Sequence, residues 1–168
     1  FKARENEYDG YIATVVTKAN MQALWIYRNL FMKKYQATLD EMVILSSEDT
    51  HYSVNKGSNI LNVENISIHV AFNSREINAE ALDAIVKKLI DEGKKYFMVI
   101  SNMATTMFGS VDNPDIYAEI LTNHSVPFKI HVDGAFGGFI YPISNRQSTI
   151  NFENHNISSI TIDAHKML

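Results

Sequence analysis

The 168-residue sequence contains no cysteine, only three prolines and only seven glycines. Without cysteine the chain can form no disulfide and no thiolate zinc site, and it has no cysteine nucleophile. The low proline and glycine content excludes collagen-like and low-complexity chains. No apolar run approaches the ~18 residues that a membrane-spanning helix needs. A cysteine-free chain also suits a reducing compartment, so we expect a cytoplasmic protein without a membrane partner.

Basic residues are scarce relative to acidic ones, with 15 Lys and Arg against 19 Asp and Glu and a net charge of −4. Nucleic-acid binders normally carry a basic face, so we expect no nucleic-acid partner. The hydrophobic content of 46% is enough for a core, and the length fits roughly one domain of ~150 residues. The chain begins at Phe1 without an initiator Met and stops abruptly at Leu168. We therefore expect residues 1–168 to be one partial domain of a longer protein.

Strand and helix patterns alternate along the chain, which is typical of an α/β domain with a mostly parallel sheet. Short apolar or β-branched segments predict strands at 11–16, 42–46, 66–71, 96–101, 128–133 and 159–163. Helical patterns occupy the intervals, with Thr17 as the predicted N-cap of a helix that reaches about Lys34. Further helices are predicted at 51–61, from Asn78 to a stop at Gly93, and from Pro114 to about Asn123.

Ligands of such sheets bind outside the carboxyl ends of the strands. Polar residues follow almost every predicted strand, and their convergence at one edge predicts a binding site. They are Thr17, His51, Thr105, Thr106, Asp133, His165 and Lys166.

Lys166 and Asp133 are the strongest candidates for chemistry. A lysine in a partly dry site can form a Schiff base with a carbonyl, although a solvated lysine near a chain end is the commoner case. Asp133 could pair with a buried cation, or it could be a turn aspartate that bonds its own backbone. The small residues of 134–138 would let a flat ligand approach the backbone closely.

His51 and Thr17 each have a structural alternative as well. His51 could stack on a planar ligand, but a lone histidine is more often structural. Thr17 could bind a phosphate at the start of a helix, or it could be a plain N-cap. The remaining histidines lack metal-ligand spacing, so we expect no metal. Nucleophile-elbow, zinc-protease, P-loop and dinucleotide-binding motifs are absent.

Four segments together resemble the group II pyridoxal-phosphate-dependent amino-acid decarboxylases, of the aspartate-aminotransferase-like fold type I. The resemblance covers nearly the whole chain, from Gly10 to the end. The matching segments, in chain order, are His51-Tyr52-Ser53 with Lys56; Ala104-Thr105-Thr106 with Gly109 and Asp112; His131 to Gly138; and Ser159 to Lys166. The resemblance implies a three-layer α/β/α sandwich, the large domain of the pyridoxal-phosphate-dependent transferase fold.

The resemblance also implies a catalytic role for three residues. Lys166 would hold pyridoxal 5'-phosphate covalently. Asp133 would pair with the pyridine nitrogen and keep it protonated, so that the ring acts as an electron sink. His51 would stack on one face of the ring.

Four further contacts to the cofactor are implied. Ala135 would pack against the other ring face, and Thr106 would lie near the ring hydroxyl. His165 and Thr17 would bind the phosphate. No contact is expected from the carboxylate of Asp163, which would repel a phosphate.

The sequence departs from the family at two places. Val15-Val16-Thr17-Lys18-Ala19-Asn20 stands where the family has G-G-T-E-A-N, so the two valines are expected to crowd the phosphate. Ala104 replaces the usual glycine before Thr105.

The function implied by the resemblance is decarboxylation of an L-amino acid to the amine and carbon dioxide, by a homodimer acting on a small-molecule substrate. Histidine, serine, tyrosine, glutamate and aspartate are the substrate types considered, with the histidine and serine types favoured. One alternative is another fold type I enzyme, an aminotransferase or a desulfurase. The other is a non-catalytic homologue used for assembly.

Overall fold

The computed structural model describes residues 1–166. Within them, one sheet contains five parallel strands in the order β2-β1-β3-β4-β5. The strands are β1 (Met42–Ser47), β2 (Glu64–Ile68), β3 (Tyr96–Asn102), β4 (Phe128–Gly134) and β5 (Ile157–Ile162). The prediction of an α/β fold with a parallel sheet is confirmed.

Helices alternate with these strands along the chain. They are α1 (Val16–Tyr35), α2 (Ser53–Leu61), α3 (Ala79–Asp91), α4 (Pro114–Asn123) and the short α5 (Tyr141–Ser144), followed after β5 by a 3-10 turn (Ala164–Lys166). The sequence pattern predicted the first four and missed α5. None of the helices in residues 1–166 combines the length and apolarity needed to cross a membrane.

The central strands are buried on both faces, and alternate residues enter two separate cores. Met42 and Ile44 of β1 pack in a cluster with residues of α1 and α2. Val43 and Leu45 pack in a second cluster with residues of α3 and α4. Because side chains alternate across a strand, this arrangement gives three layers, with helices on both faces of the sheet.

Local signals set the helix ends where the chain supplies a capping group. The side chains of Asn78 and Asn113 accept hydrogen bonds from Ala81 N and Asp115 N, and Pro114 opens α4. Gly93 follows the C-cap of α3 with φ of +96°, a conformation that costs glycine little.

The predicted strand at 11–16 is wrong. Residues 11–15 are irregular and mostly exposed, with Ile12 fully exposed, and none of them pairs with the described sheet. β-Branched residues favour a strand only where a neighbouring strand accepts their backbone groups. Thr17 is also not the N-cap, because Val15 takes that place in an extended conformation and Thr17 is the second residue of α1.

The third predicted strand is shifted as well. β2 runs over Glu64–Ile68, whereas the pattern predicted 66–71. Val70 instead forms an isolated antiparallel bridge with Ile77, which closes a turn before α3. The apolar pattern continues through both structures, so hydrophobicity alone does not mark the end of β2.

The strand order creates a switch point between β1 and β3. From β1 the chain crosses to β2 on one side, and it then returns to place β3 on the other side. Loops that leave neighbouring strands in opposite directions open a crevice at the carboxyl ends of those strands.

Candidate active site

A cleft of about 490 Å³ lies at the carboxyl ends of the strands. Five separate segments line it: the start of α1 and the loops that follow β1, β3, β4 and β5. The lining residues fall in the ranges 15–17, 48–52, 102–108, 133–136 and 163–166.

All seven predicted site residues line this one cleft. They are Thr17, His51, Thr106, Asp133, Ala135, His165 and Lys166. The predicted convergence is therefore observed, while the role of each residue stays a prediction.

Asp133 lies near the end of β4, is only 7% exposed and has both carboxylate oxygens engaged. Its Oδ1 accepts a hydrogen bond from Ala135 N at 3.1 Å. Its Oδ2 accepts one from Asn20 Nδ2 at 2.6 Å. These two donors fix the plane of a carboxylate that still reaches the cleft.

Behind Asp133 lies His131, which is buried between α1 and β5. Its Nε2 lies 3.1 Å from Asn20 Oδ1 and 3.1 Å from Thr161 Oγ1. Its Nδ1 lies 2.7 Å from Ser159 Oγ. Burial lowers the pKa of His131, and the nearby Asp133 charge offsets only part of that effect. The imidazole is therefore neutral at physiological pH.

The start of α1 opens on the cleft without a side-chain cap. Val15, the N-cap residue, has no oxygen with which to accept from the first N–H groups, and the first turn contains no acidic residue. Lys18 in that turn reaches Thr14 Oγ1 at 3.1 Å. An uncapped helix start beside a cation is a favourable place for an anionic group.

His51 follows β1 and stands exposed at the cleft. Its Nδ1 lies 2.9 Å from Ser53 Oγ, and its ring centroid lies 4.3 Å from that of Tyr52. These contacts fix the ring at the start of α2.

Asp163, His165 and Lys166 come from the turn after β5. The imidazole of His165 lies 2.6 Å from the carboxylate of Asp163, so this side chain already has a partner. Lys166 is exposed. The partly dry lysine environment considered from the sequence is therefore not formed by residues 1–166 themselves.

The glycines after Asp133 serve packing rather than ligand approach, which corrects the expectation from the sequence. A Cβ on Gly137 would lie 2.5 Å from Met103 O. A Cβ on Gly138 would lie 2.5 Å from Gly134 O and from Ile162 Cγ2. The glycines thus let the turn after β4 lie against the ends of β3 and β5, while Ala135 lines the cleft.

A second buried polar cluster, which the sequence analysis missed, lies beside the cleft. Asn102 Nδ2 lies 2.7 Å from Asp112 Oδ2 and 2.8 Å from Thr50 Oγ1. Burial raises the pKa of Asp112 to about 6, although hydrogen bonds from Asn102 oppose the shift. Asp112 is part of the family-like segment that begins at Ala104, so the sequence did contain an indication that this residue lies near the site.

An ion pair that no sequence motif indicated lies at the rim of the cleft. Arg75 donates to Asp49 from Nε at 2.9 Å, and its guanidinium lies 4.3 Å from the ring centroid of Phe108. These contacts tie the loops after β1 and β3 to the turn before α3.

Comparison with known families identifies this arrangement. The family model described as the pyridoxal-dependent decarboxylase conserved domain matches residues 2–168. The chain belongs to the pyridoxal-dependent decarboxylase family, and membership implies pyridoxal 5'-phosphate as the cofactor. The resemblance and cofactor predicted from the sequence are confirmed.

Curated relatives include decarboxylases of several amino acids. A tryptophan decarboxylase of Clostridium sporogenes is 56% identical over 164 residues, which cover 98% of this chain and 39% of that protein. A probable L-tyrosine/L-aspartate decarboxylase of Methanothrix thermoacetophila is 30% identical over 158 residues, covering 94% of this chain and 37% of that protein. The chain thus spans about two fifths of the length of these relatives. Tryptophan was not among the substrate types considered from the sequence.

Solved structures agree on the fold. The glutamate decarboxylase domain of a transaminase/decarboxylase from Vibrio parahaemolyticus has a TM-score of 0.81 at 23% identity, over 95% of this chain and 36% of that one. Tryptophan decarboxylase of Catharanthus roseus, in complex with L-tryptophan, has a TM-score of 0.80 at 19% identity, over 94% of this chain and 34% of that one. The predicted three-layer fold of the pyridoxal-phosphate-dependent enzymes is confirmed.

Proposed function

We propose that residues 1–168 are part of the cofactor-binding large domain of a longer enzyme that decarboxylates an L-amino acid to the amine and carbon dioxide. The observation that carries the proposal is the single cleft that brings together Lys166, Asp133 and the uncapped start of α1. The family match extends over the same residues.

The chemistry of the cleft fits the three reactive parts of pyridoxal 5'-phosphate. The uncapped helix start at Val16 and Thr17 suits the phosphate. The buried carboxylate of Asp133 suits a protonated pyridine nitrogen, and the amine of Lys166 suits the aldehyde. A cleft of about 490 Å³ is within the usual range for cofactor sites.

When bound, the cofactor supplies an electron sink for the pair of electrons released as carbon dioxide leaves. Asp133 holds a proton on the ring nitrogen by its negative charge, and its fixed plane keeps that charge in one direction. Lys166 would hold the cofactor through its side-chain amine. His51 and Ala135 would confine the ring between them, and Thr106 would lie toward the ring hydroxyl. Thr17 and His165 would hold the phosphate.

We propose tryptophan as the first substrate to test. The support is the 56% identity with the tryptophan decarboxylase of Clostridium sporogenes. The cleft wall also contains the apolar side chains of Met107 and Phe108, which are compatible with an aromatic substrate. The histidine and tyrosine/aspartate decarboxylases among the relatives define the next substrates.

A cytoplasmic homodimer is the assembly we propose. The outer face of α1 exposes Trp25, Ile26, Leu30 and Met32. An apolar face of this kind is suited to burial against further protein.

The test is to incubate the purified full-length enzyme and pyridoxal 5'-phosphate with tryptophan, tyrosine, histidine, serine, glutamate, aspartate and cysteine in turn, each with and without 2-oxoglutarate as amino acceptor. We expect tryptamine and carbon dioxide in equal amounts from tryptophan. A keto acid as product would indicate an aminotransferase, and release of sulfur from cysteine would indicate a desulfurase. Failure to bind the cofactor would favour the non-catalytic homologue, in line with Val15 and Val16 at the phosphate end.

The proposed attachment point has its own control. Borohydride reduction of the loaded enzyme followed by peptide mapping should label Lys166. Lys166→Ala should abolish the label, whereas Lys88→Ala on the exposed face of α3 should leave it unchanged. A label on Lys18 or Lys56 would contradict the assignment.

A further inference from the structure

A continuous chain of polar groups, all buried except the partly buried Ser159, runs behind the cleft from the middle of α1 to Asp133. Tyr27 OH contacts Ser159 Oγ, and Ser159 Oγ lies 2.7 Å from His131 Nδ1. His131 Nε2 lies 3.1 Å from Asn20 Oδ1, and Asn20 Nδ2 lies 2.6 Å from Asp133 Oδ2. The chain thus joins α1, β5 and β4 and ends on the carboxylate.

The hydrogen-bonding capacities of these groups assign one direction to the chain. Asn20 must turn its NH₂ group toward the carboxylate of Asp133, because a carboxylate accepts hydrogen bonds. Its Oδ1 then faces His131 and can only accept, so Nε2 of the imidazole carries the proton. In a neutral imidazole Nδ1 is then the acceptor, and Ser159 donates to it. The hydroxyl of Tyr27 lies 3.4 Å from Ile130 O but closer to Ser159 Oγ, so it donates to Ser159 over the shorter contact.

We propose that Asn20 is a positioning residue for Asp133 and that His131, through its Nε2–H, holds the Asn20 amide in the orientation that points a donor at the carboxylate. This proposal rests on the proposed function, since it concerns how Asp133 is presented to the cofactor.

The alternative orientation of the amide shows why the N–H of His131 matters. If the amide were flipped, its oxygen would face Asp133 Oδ2 and its NH₂ group would face the N–H of His131. The contact with Asp133 would be repulsive whichever nitrogen of His131 carries the proton, so the carboxylate selects the orientation. The Nε2–H tautomer makes the second contact repulsive as well and thereby reinforces the choice. A neutral His131 also places no positive charge behind Asp133, so the negative charge of the carboxylate remains available to a cation in the cleft.

The binding experiment compares wild type with Asn20→Ala in the full-length enzyme, using pyridoxal 5'-phosphate as the probe. Asn151→Ala is the matched control. Asn151 is also buried and makes two hydrogen bonds, to Ser148 O and from Glu153 N, yet it is not among the residues that line the cleft. Both changes remove a buried amide, but only the first removes a donor to Asp133.

We expect Asn20→Ala to weaken cofactor binding at least tenfold, because a hydrogen bond to a charged group is lost. The absorption maximum of the bound cofactor should also shift. Asn151→Ala should remain within twofold of wild type in affinity, with an unchanged spectrum. The proposal would be overturned if Asn20→Ala had the same cofactor affinity and the same absorption spectrum as the Asn151→Ala control.

A near-isosteric variant covers the case in which Asn20→Ala does not fold. Asn20→Leu keeps most of the side-chain volume but has no donor for Asp133, and we expect it to weaken binding at least tenfold. Wild-type affinity of this variant would refute the positioning role. Failure of wild type itself to bind pyridoxal 5'-phosphate would contradict the proposed function instead.

A second measurement tests the chain of hydrogen bonds without the cofactor. In ¹⁵N-histidine-labelled enzyme free of cofactor, with His131→Gln used for assignment, NMR reports which nitrogen of His131 carries the proton. We expect the Nε2–H tautomer at neutral pH. A proton on Nδ1, or on both nitrogens, would overturn the proposed direction whatever the binding results.

Discussion

Ala104 lies in the loop after β3 and adopts a left-handed backbone conformation with φ of +63°. A substitution at this position can therefore test what determines the shape of the loop. The turn is held on both sides: Thr105 N donates to Ser110 O at 2.9 Å, and Gly137 N donates to Met103 O at 3.0 Å. The loop must therefore turn at residue 104 whichever residue is present. Glycine is the residue that adopts this conformation without a steric penalty.

The substitution Ala104→Gly should stabilise the protein. A left-handed conformation costs an L-residue about 1–2 kcal/mol. Two effects oppose this gain. Glycine loses part of a methyl contact at this half-buried site, and it increases the conformational entropy of the unfolded chain. Together they lower the free energy of unfolding by about 0.5–1 kcal/mol. The free energy of unfolding should thus rise by about 0.5–1 kcal/mol.

The matched control is Ala84→Gly, at an exposed position inside α3. There the same change removes a good helix former and should lower the free energy of unfolding by about 1 kcal/mol. Urea denaturation of both variants and wild type, followed by circular dichroism, measures the two values. Equal destabilisation by the two substitutions would refute the reasoning.

Three further predictions follow from the packing, the charges and the site. Gly138→Ala should lower the free energy of unfolding by about 1–3 kcal/mol, because its Cβ would overlap two neighbours, whereas Gly10→Ala, with open space around it, should be nearly neutral in the same urea titration. Asp112, with its pKa raised to about 6, binds its proton more tightly in the folded state, so its contribution to stability is complete below about pH 4 and is lost as the pH rises through 6. The stability of Asp112→Asn relative to wild type should therefore increase by up to about 3 kcal/mol between pH 4 and 7, and a constant difference would contradict this. Asp133→Asn should weaken cofactor binding at least as much as Asn20→Ala and lower turnover by at least about a hundredfold, since it removes a charge beside the reacting ring. The exposed Asp83→Asn should leave turnover unchanged in the same carbon dioxide assay.

The parts of the fold that could be predicted from the sequence are those fixed by local chemistry or by full burial. The strands β1 and β3 are apolar over most of their length, and β4 has an apolar residue at every second position from Phe128 to Val132. All three were therefore predicted to within one residue at each end. Asn78, Asn113 and Pro114 start helices through contacts within a few residues. Residues 11–16 have the same apolar character as a strand, but no described strand pairs with them. Strand pairing depends on tertiary contacts, which a local sequence pattern does not reveal.

The site could be predicted because parallel strands bring their carboxyl ends to one edge. His51 and Lys166, which follow β1 and β5, were placed together by that rule. Thr17 lines the same cleft, but from the start of α1 and not from the end of a strand. Exposure could not be predicted in the same way. Lys166 and Thr106 are exposed in the described residues, so a dry site around them would need protein surface beyond the walls of this cleft.

Asp133 shows why motif and turn chemistry should not be treated as competing explanations. The sequence allowed either a turn aspartate bonded to its own backbone or a carboxylate directed at a ligand. Oδ1 accepts from Ala135 N, as a turn aspartate does, while Oδ2 is bound by Asn20 from a different element. The local bond uses one oxygen and, together with the bond from Asn20, sets the plane of a carboxylate that lines the cleft. The turn contact is thus compatible with the role that we propose for Asp133, in which the same carboxylate pairs with a cation.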